Sequence, residues 1–540
     1  MPASTARPPV VWLALLVLPV VWWVQAGDAV LGFASEDLEG HLWTLWNASR
    51  GPMTRSSLVN APTGVDLMPI VGGWLDIRLG SWLSHGLGVA RAYNAVLAVY
   101  ALLAGLGGMA LARALGASVG AATVAGLLLQ LDPFVLLHLG GGRPEQAGLG
   151  LVALALAGAV GAWRTVERKW VVLAGVAGAL VLFASWELGI LLAVGMVLAL
   201  PVLALGLPAA PGVVRRWASA AALTTALAGP WVAWFLVRSM AVRATGHDPI
   251  GLEIAQHSSI GWLQFWLPTG GNPGLVPTLT LLALPVLDTS RRRLWLGVWG
   301  VLVLAFVLGL GPVPAASPGG APLGMPGLFG VLQHVPVLRW FHWPDRVVSV
   351  WGVLGAGATG FAVSELARGG RRKLAGMVAA LAVLVGLLRV QQAALWPQAR
   401  FELPQSALWE ALRTDPTEGA LFDMPVRMRG IPSYAPALAQ IQHHRPVRSY
   451  GGVPWLLPPP EEHAPLPPFS TDLDPRRPVP TLTIPDADLD LLRDQGFAFI
   501  VLQRPRGAAA WWAAAEAELS RTLGPAELRD DTKGWVVWRL

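Results

Sequence analysis

Three short stretches carry side chains that can do chemistry. The first is Ser35-Glu36-Asp37-Leu38-Glu39-Gly40-His41. On a helix, Asp37 and His41 are four apart and share a face, while Glu39 points away. A second reading competes: Ser35 is a good N-cap, and acids in a first turn complement the helix dipole. The second stretch is Gly140-Gly-Gly-Arg-Pro-Glu-Gln146. Its glycines let backbone approach a ligand closely. Arg143 offers a planar fork for phosphate or carboxylate. Glu145 can bind a metal or orient that arginine. The competing reading is a tight turn in which Pro144 starts a helix. The third is Arg339-Trp-Phe-His-Trp-Pro-Asp-Arg346. Arginines among interfacial aromatics can hold a lipid phosphate or stack on a sugar, or they form an aromatic belt with snorkelling arginines. Glu187, in Ser185-Trp186-Glu187, either joins the first two stretches or caps a helix.

The elements that must position these residues are apolar. Of 540 residues, 54% are hydrophobic and 13% are charged, with mean hydropathy +0.53. An average soluble chain is about 25% charged. With no cysteine, a disulfide scaffold, a thiolate metal site and an iron–sulfur protein are excluded. Residues 1–390 hold 39 charged residues, 24 basic and 15 acidic, whereas residues 391–540 hold 33, 15 basic and 18 acidic. The first part therefore reads as a lipid-embedded bundle and the last 150 residues as a water-soluble domain. The basic excess lies in the apolar part, so it is a topology signal rather than a nucleic-acid footprint.

Eleven segments are apolar enough to be candidate spans, at 10–26, 89–112, 117–138, 147–163, 170–185, 188–207, 217–237, 274–289, 294–311, 347–366 and 374–390. A span needs about 20 mostly apolar residues. Alternate connectors are basic: Arg113; Arg164, Arg168 and Lys169; Arg215 and Arg216; Arg291–Arg293; Arg368 and Arg371–Lys373. Eleven spans place them all on one side with Arg7, and short basic loops are cytoplasmic. The N-terminus is then cytoplasmic, and the C-terminal domain periplasmic or otherwise extracytoplasmic. Most of the bundle's acids fall on the outer side.

Outer loop 1, residues 27–88, holds two amphipathic stretches. Leu38, Leu42, Leu45 and Trp46 share one face; Leu67, Val71, Trp74, Leu75, Leu79 and Trp82 share another. Both suit helices lying on the membrane surface. In the tail, 419–426, 497–502 and 533–540 read as strands, and 486–495 and 511–523 as helices, giving a small α/β domain. No GxxxxGK[ST] or HExxH motif is present, so a pump with its own ATPase domain is excluded.

This pattern resembles the GT-C membrane glycosyltransferases: a first span, an acidic outer loop with surface helices, a dozen-odd spans, then an outer α/β domain. It is most similar to their bacterial YfhO-like and dolichyl-phosphate-mannose-transferase-like relatives. The segments 335–346, 419–425 and 496–502 look like segments recurring there. The resemblance implies a multi-pass α-helical protein of a bacterial inner membrane. It would move a sugar from a polyprenyl-phosphate carrier to an extracytoplasmic acceptor, a glycan, lipid or protein. It maps the catalytic carboxylate onto Asp37, with Glu36 as second choice. Glu145 takes the place of a second acidic motif, with Asp37 and Glu145 as candidate ligands for Mg2+ or Mn2+, although no Asp-x-Asp stands there. Such a transfer needs a base on the acceptor hydroxyl and cations on the departing phosphate. Asp37 suits the first, and Arg143, Arg339 and Arg346 the second, with His41, Glu145 and Glu187 in support. Two other classes stay open: a non-catalytic envelope scaffold, and a transporter or lipid flippase. Almost bare span interiors argue against transport.

Overall fold

The computed structural model describes residues 8–33, 36–59, 61–67, 74–244, 259–261, 265, 275–315, 327–332, 334, 344–392, 399–403, 405–424, 435–448, 483–504 and 509–540. Each of the eleven apolar segments contains helix. In chain order these begin with α1 (Pro8–Ala26), α2 (Glu36–Ala48), α3 (Trp74–Leu87), α4 (Val89–Leu115), α5 (Val119–Gln130), α6 (Pro133–Gly140), α7 (Leu149–Arg164), α8 (Arg168–Ala184), α9 (Trp186–Gly206) and α10 (Val213–Ala244). Leu275–Leu287, Arg292–Gly309, Val350–Arg368 and Arg372–Gln392 complete the bundle. Among the described residues, six helices are long and apolar enough to cross a membrane, or seven if α5 and α6 form one span. Leu149–Arg164 and Leu275–Leu287, of 16 and 13 residues, are shorter than the length rule expects. α5 and α6 meet at an angle of 44°. Pro133 cannot donate to the preceding turn, and the Asp132 carboxylate caps the new helix by accepting from Phe134 N at 2.9 Å.

Helix α4 is the axis of the bundle and packs along α1, α3, α5 and α7. Its contact with α7 is backbone on backbone. A Cβ on Gly107 would stand 2.3 Å from Gly150 O, and one on Gly150 2.3 Å from Leu103. Small residues at a crossing allow this approach, and dispersion and packing then hold the helices together in lipid, where no hydrophobic effect drives them together.

Outer loop 1 departs from the expected surface helices. α2 is buried nearly all round: Leu38, Leu42 and Leu45 are fully buried in the bundle core, and Trp43 and Trp46 in a second core with the tail. It is therefore a wedge between bundle and tail. α3 carries an acid inward. Asp76, Ile77, Gly80 and Ser81 are buried, while Trp82 is 72% exposed. Of its apolar stripe only Trp82 faces outward, since Leu75 and Leu79 pack on the bundle core and Trp74 on the second core, and the buried side carries an acid into the protein.

The tail contains a four-stranded sheet of order β5-β6-β8-β7, built from β5 (Ala420–Met424), β6 (Phe497–Gln503), β7 (Leu528–Asp530) and β8 (Trp535–Arg539). β5 and β6 are parallel and the other pairs antiparallel. Side chains alternate between two faces, as the pleat dictates. Leu421, Phe499, Val501, Trp535 and Val537 pack with Trp43 and Trp46 of α2 and with Leu408, Trp409 and Leu412. Phe422, Ile500, Leu502, Val536 and Trp538 pack under Leu489 and Leu492 and under Trp511, Ala515 and Leu519. Both helices read from the tail sequence form, at Asp486–Asp494 and Ala509–Leu523. One face of the sheet thus has its own helices, and the other is completed by outer loop 1.

Main-chain pairing ties loop 1 to the tail at two further points. β1 (Val30–Leu31) pairs antiparallel with β4 (Arg400–Phe401). Val447 N donates to Leu58 O at 2.8 Å, and Ala61 N to Val447 O at 3.1 Å.

Candidate active site

The Gly140–Gln146 stretch is a tight turn built to meet α2. Phe33 N donates to Gly140 O at 2.7 Å, and Arg143 N to His138 O at 2.9 Å. Gly142 adopts φ +81°, and a Cβ there would stand 2.3 Å from Leu38 Cα. Glycine alone permits both the left-handed backbone and this approach. The turn therefore lies against the first turn of α2 and brings two sequence-distant stretches together.

Asp37 and Arg143 pair across that contact. Arg143 Nε donates to Asp37 Oδ2 at 2.8 Å, and its Nη2 reaches the same oxygen. Both side chains are partly exposed, at 38% for Arg143 and 43% for Asp37, so the pair faces open space. Burial draws the Arg143 guanidinium down, but Asp37, then Glu145 and Asp345, outweigh it and hold it above its ordinary value.

His41 does not pair with Asp37. One turn further along α2, its Nε2 lies 3.1 Å from Asp76 Oδ2 and its Nδ1 4.0 Å from Glu145 Oε2. Asp76 is fully buried, and Tyr93 of α4 closes the group, its ring 5.8 Å from the imidazole. The His41–Asp76 contact is close without hydrogen-bond alignment. His41 Nε2, Asp76 Oδ2 and Glu145 Oε2 are all buried atoms with no hydrogen-bond partner among the described residues. Burial lowers the imidazole pKa, but Asp76, then Glu145 and Asp37, raise it to a net value above normal. Burial and Asp76 push the Glu145 carboxyl up to about 6, against the pull of His41 and Arg346.

A neutral imidazole and two carboxylates are a hard-to-borderline donor set. One atom from each lies within 4.8 Å of the others. Ligand atoms about 2.0–2.2 Å from one metal ion must stand about 3–4 Å apart, and orphaned buried oxygens are what such an ion would satisfy. The residues fit a divalent cation. Asp37, expected as a ligand, lies outside this group and engages Arg143 instead. In sequence Asp76 is one outer-loop acid among many, and its one signal is that it lines up with Gly80 and Ser81 along its helix.

Glu187 and Arg346 form the second pair. Both are 6% exposed, and Arg346 Nη1 contacts Glu187 Oε2. The N-cap role falls to Ser185, whose hydroxyl accepts from Leu188 N. Arg339 and the 335–343 segment lie outside the described residues, as does the side chain of Glu36. An apolar cavity of about 130 Å³ is lined by residues that include Leu149, Leu188, Ser349 and Val350.

The chain superposes on solved structures of transferases. The arabinofuranosyltransferase AftD from mycobacteria superposes with TM-score 0.55 at 18% identity, over 94% of this chain and 37% of that one. A second structure of the same protein gives 0.51 at 16% identity over the same shares. The chain has the GT-C fold. It spans little more than a third of the arabinofuranosyltransferase. ArnT from Cupriavidus metallidurans bound to undecaprenyl phosphate aligns over 99% of this chain and 98% of its own, with 16% identity and TM-score 0.48. No family model and no curated protein matches the sequence.

Proposed function

We propose that this GT-C chain is an inverting glycosyltransferase that moves a sugar from a polyprenyl-phosphate carrier to an acceptor hydroxyl. The observation that carries this reading is the Asp37–Arg143 pair, an acid and a bidentate cation at the partly open edge of the bundle. The donor phosphate draws Arg143 away from Asp37, because a dianionic or diester phosphate competes for the same fork. The freed Asp37 carboxylate then accepts the acceptor's hydroxyl proton. The acceptor oxygen bonds to the anomeric carbon as the bond to the phosphate oxygen breaks. The negative charge leaves with the polyprenyl phosphate, against Arg143 and Arg346, with Arg339 as a further cation. Part of the isoprenoid chain lies in the apolar cavity lined by Leu188 and Val350.

A divalent cation, Mg2+ or Mn2+, would be held by His41, Asp76 and Glu145 and would supply positive charge beside the transferring group. In this reading all eleven apolar segments cross the inner membrane of a bacterium, α5 and α6 together as one span. The basic connectors and the N-terminus are cytoplasmic, and the site and the C-terminal α/β domain face the periplasm. The acceptor is a glycan, lipid or protein of the cell envelope.

The test is transfer of labelled sugar from a polyprenyl-phosphate donor by the full-length protein in nanodiscs. A panel of donors with wild-type protein and Asp37→Asn decides it. Donor-dependent product formed equally by both proteins rejects the site, and no product with any donor favours a non-catalytic role.

A further inference from the structure

At the opposite end of the bundle, four consecutive backbone carbonyls each accept from a different arginine. Arg164 donates to Ala114 O, Arg291 to Leu115 O at 3.4 Å, Arg368 to Gly116 O, and Arg113 to Ala117 O at 2.5 Å. The four come from separate places: the end of α4, the end of α7, the turn before Arg292–Gly309, and the end of Val350–Arg368. α7 starts beside Glu145 and ends at Arg164, so its 16 residues separate this cluster from the candidate active site by about 24 Å.

Capping explains only part of the convergence. A helix C-terminus carries about half a negative charge, against four guanidiniums. The acids nearby do not balance the remainder. Glu365 pairs with Arg368, and Asp288 accepts from Ser290 and Trp295. Among the described residues no carboxylate pairs with Arg164 or Arg291. Each guanidinium has five donors and uses one or two here. Arg292, Arg293, Arg371, Arg372 and Lys373 stand exposed on the adjoining turns. The helices that begin there leave Leu296, Leu374 and Met377 exposed, at 48%, 43% and 67%.

We propose that this end binds the headgroup of an anionic phospholipid, its phosphate on Arg164, Arg291 and Arg368 and its acyl chains along the exposed apolar flank. Charge complementarity selects an anion. The bare leucines and methionine beside it select one that carries lipid tails. The site is independent of the transferase reading and needs only that the helices lie in a bilayer.

Native mass spectrometry of the full-length protein in detergent tests it, with phosphatidylglycerol, phosphatidylcholine and inorganic phosphate as probes. Phosphatidylglycerol should bind about tenfold more tightly than phosphatidylcholine. The variant R164Q/R291Q/R368Q should lose that preference. R371Q/R372Q/K373Q, which removes as much charge from the exposed turn, should keep it. Equal binding of the two lipids to wild type, or equal loss in both variants, overturns the proposal. Displacement of phosphatidylglycerol by equimolar phosphate shows a free-anion site and overturns the lipid assignment. If the first variant does not fold, R291Q alone decides: a folded R291Q protein with undiminished preference overturns the proposal.

Discussion

Asp37 and Arg143 stand 106 positions apart in the chain and meet side chain to side chain, with Arg143 Nε donating to Asp37 Oδ2 at 2.8 Å. The pairing depends on the Gly140–Gln146 turn lying against the first turn of α2. If Asp37 is the base, Asp37→Asn removes its proton affinity while keeping its shape. Transfer should fall by at least about 100-fold, with thermal unfolding unchanged. Arg143→Lys keeps the charge but loses the fork, and should cost about tenfold. Rates with a lipid-linked sugar donor measure both, and near-wild-type turnover by Asp37→Asn refutes the assignment.

The His41–Asp76–Glu145 group predicts cation binding that can be measured without any reaction. Calorimetric titration of the chelator-stripped protein with Mn2+ should show one site. His41→Ala and Glu145→Gln should each weaken it at least about tenfold, since a site of three protein ligands loses one. Asp37→Asn should leave the affinity within about twofold, because Asp37 lies outside the group. A larger effect from Asp37 than from Glu145 would restore the pairing expected from sequence.

α2 is also held by the tail. Trp43 Nε1 donates to Gln440 Oε1 at 2.6 Å, both buried, and Gln440 Nε2 donates to Arg445 O at 2.8 Å. Replacing Gln440 by Leu strands a buried indole N–H, at a cost of about 1–3 kcal/mol. Hydrogen exchange should quicken in α2 and leave α4 unchanged. Exchange that is unaltered in α2 would show that the tail does not brace it.

His443 gives a pH dependence of known sign. It is buried against Trp409, accepts from Arg445 N at Nδ1, and its pKa is lowered to about 3 by burial, His444 and Arg445. The imidazole is neutral when folded and protonates near 6.5 when unfolded. Between pH 6.5 and 3 the unfolded chain therefore binds more protons, and stability falls as pH falls, by up to about 1.4 kcal/mol per unit. Tail unfolding followed by denaturant titration should show this slope, and His443→Gln should flatten it. An equal slope in the variant would assign the loss to another group.

Much of this protein was legible in its sequence because the signals are local. Long apolar runs become helices wherever they sit, since a helix satisfies its own backbone in lipid. Strands β5, β6 and β8 follow from alternation along a few residues. Asp37, Arg143, Glu145 and Glu187 stood out as rare polar groups between apolar segments. What the sequence could not decide was partnership. His41 and Asp37 share a helix, yet α2 lies between the bundle and the tail, so each meets a different neighbour. Asp76 was hidden because an amphipathic stripe shows that a helix has two faces without saying which one is buried. In α3 Asp76 and Ser81 are buried beside Ile77 while Trp82 is exposed, so burial does not follow polarity along the helix. One face of the tail's sheet takes Trp43 and Trp46 from a loop almost four hundred residues earlier. Such choices are set by contacts between distant segments, and only the tertiary structure brings those segments together.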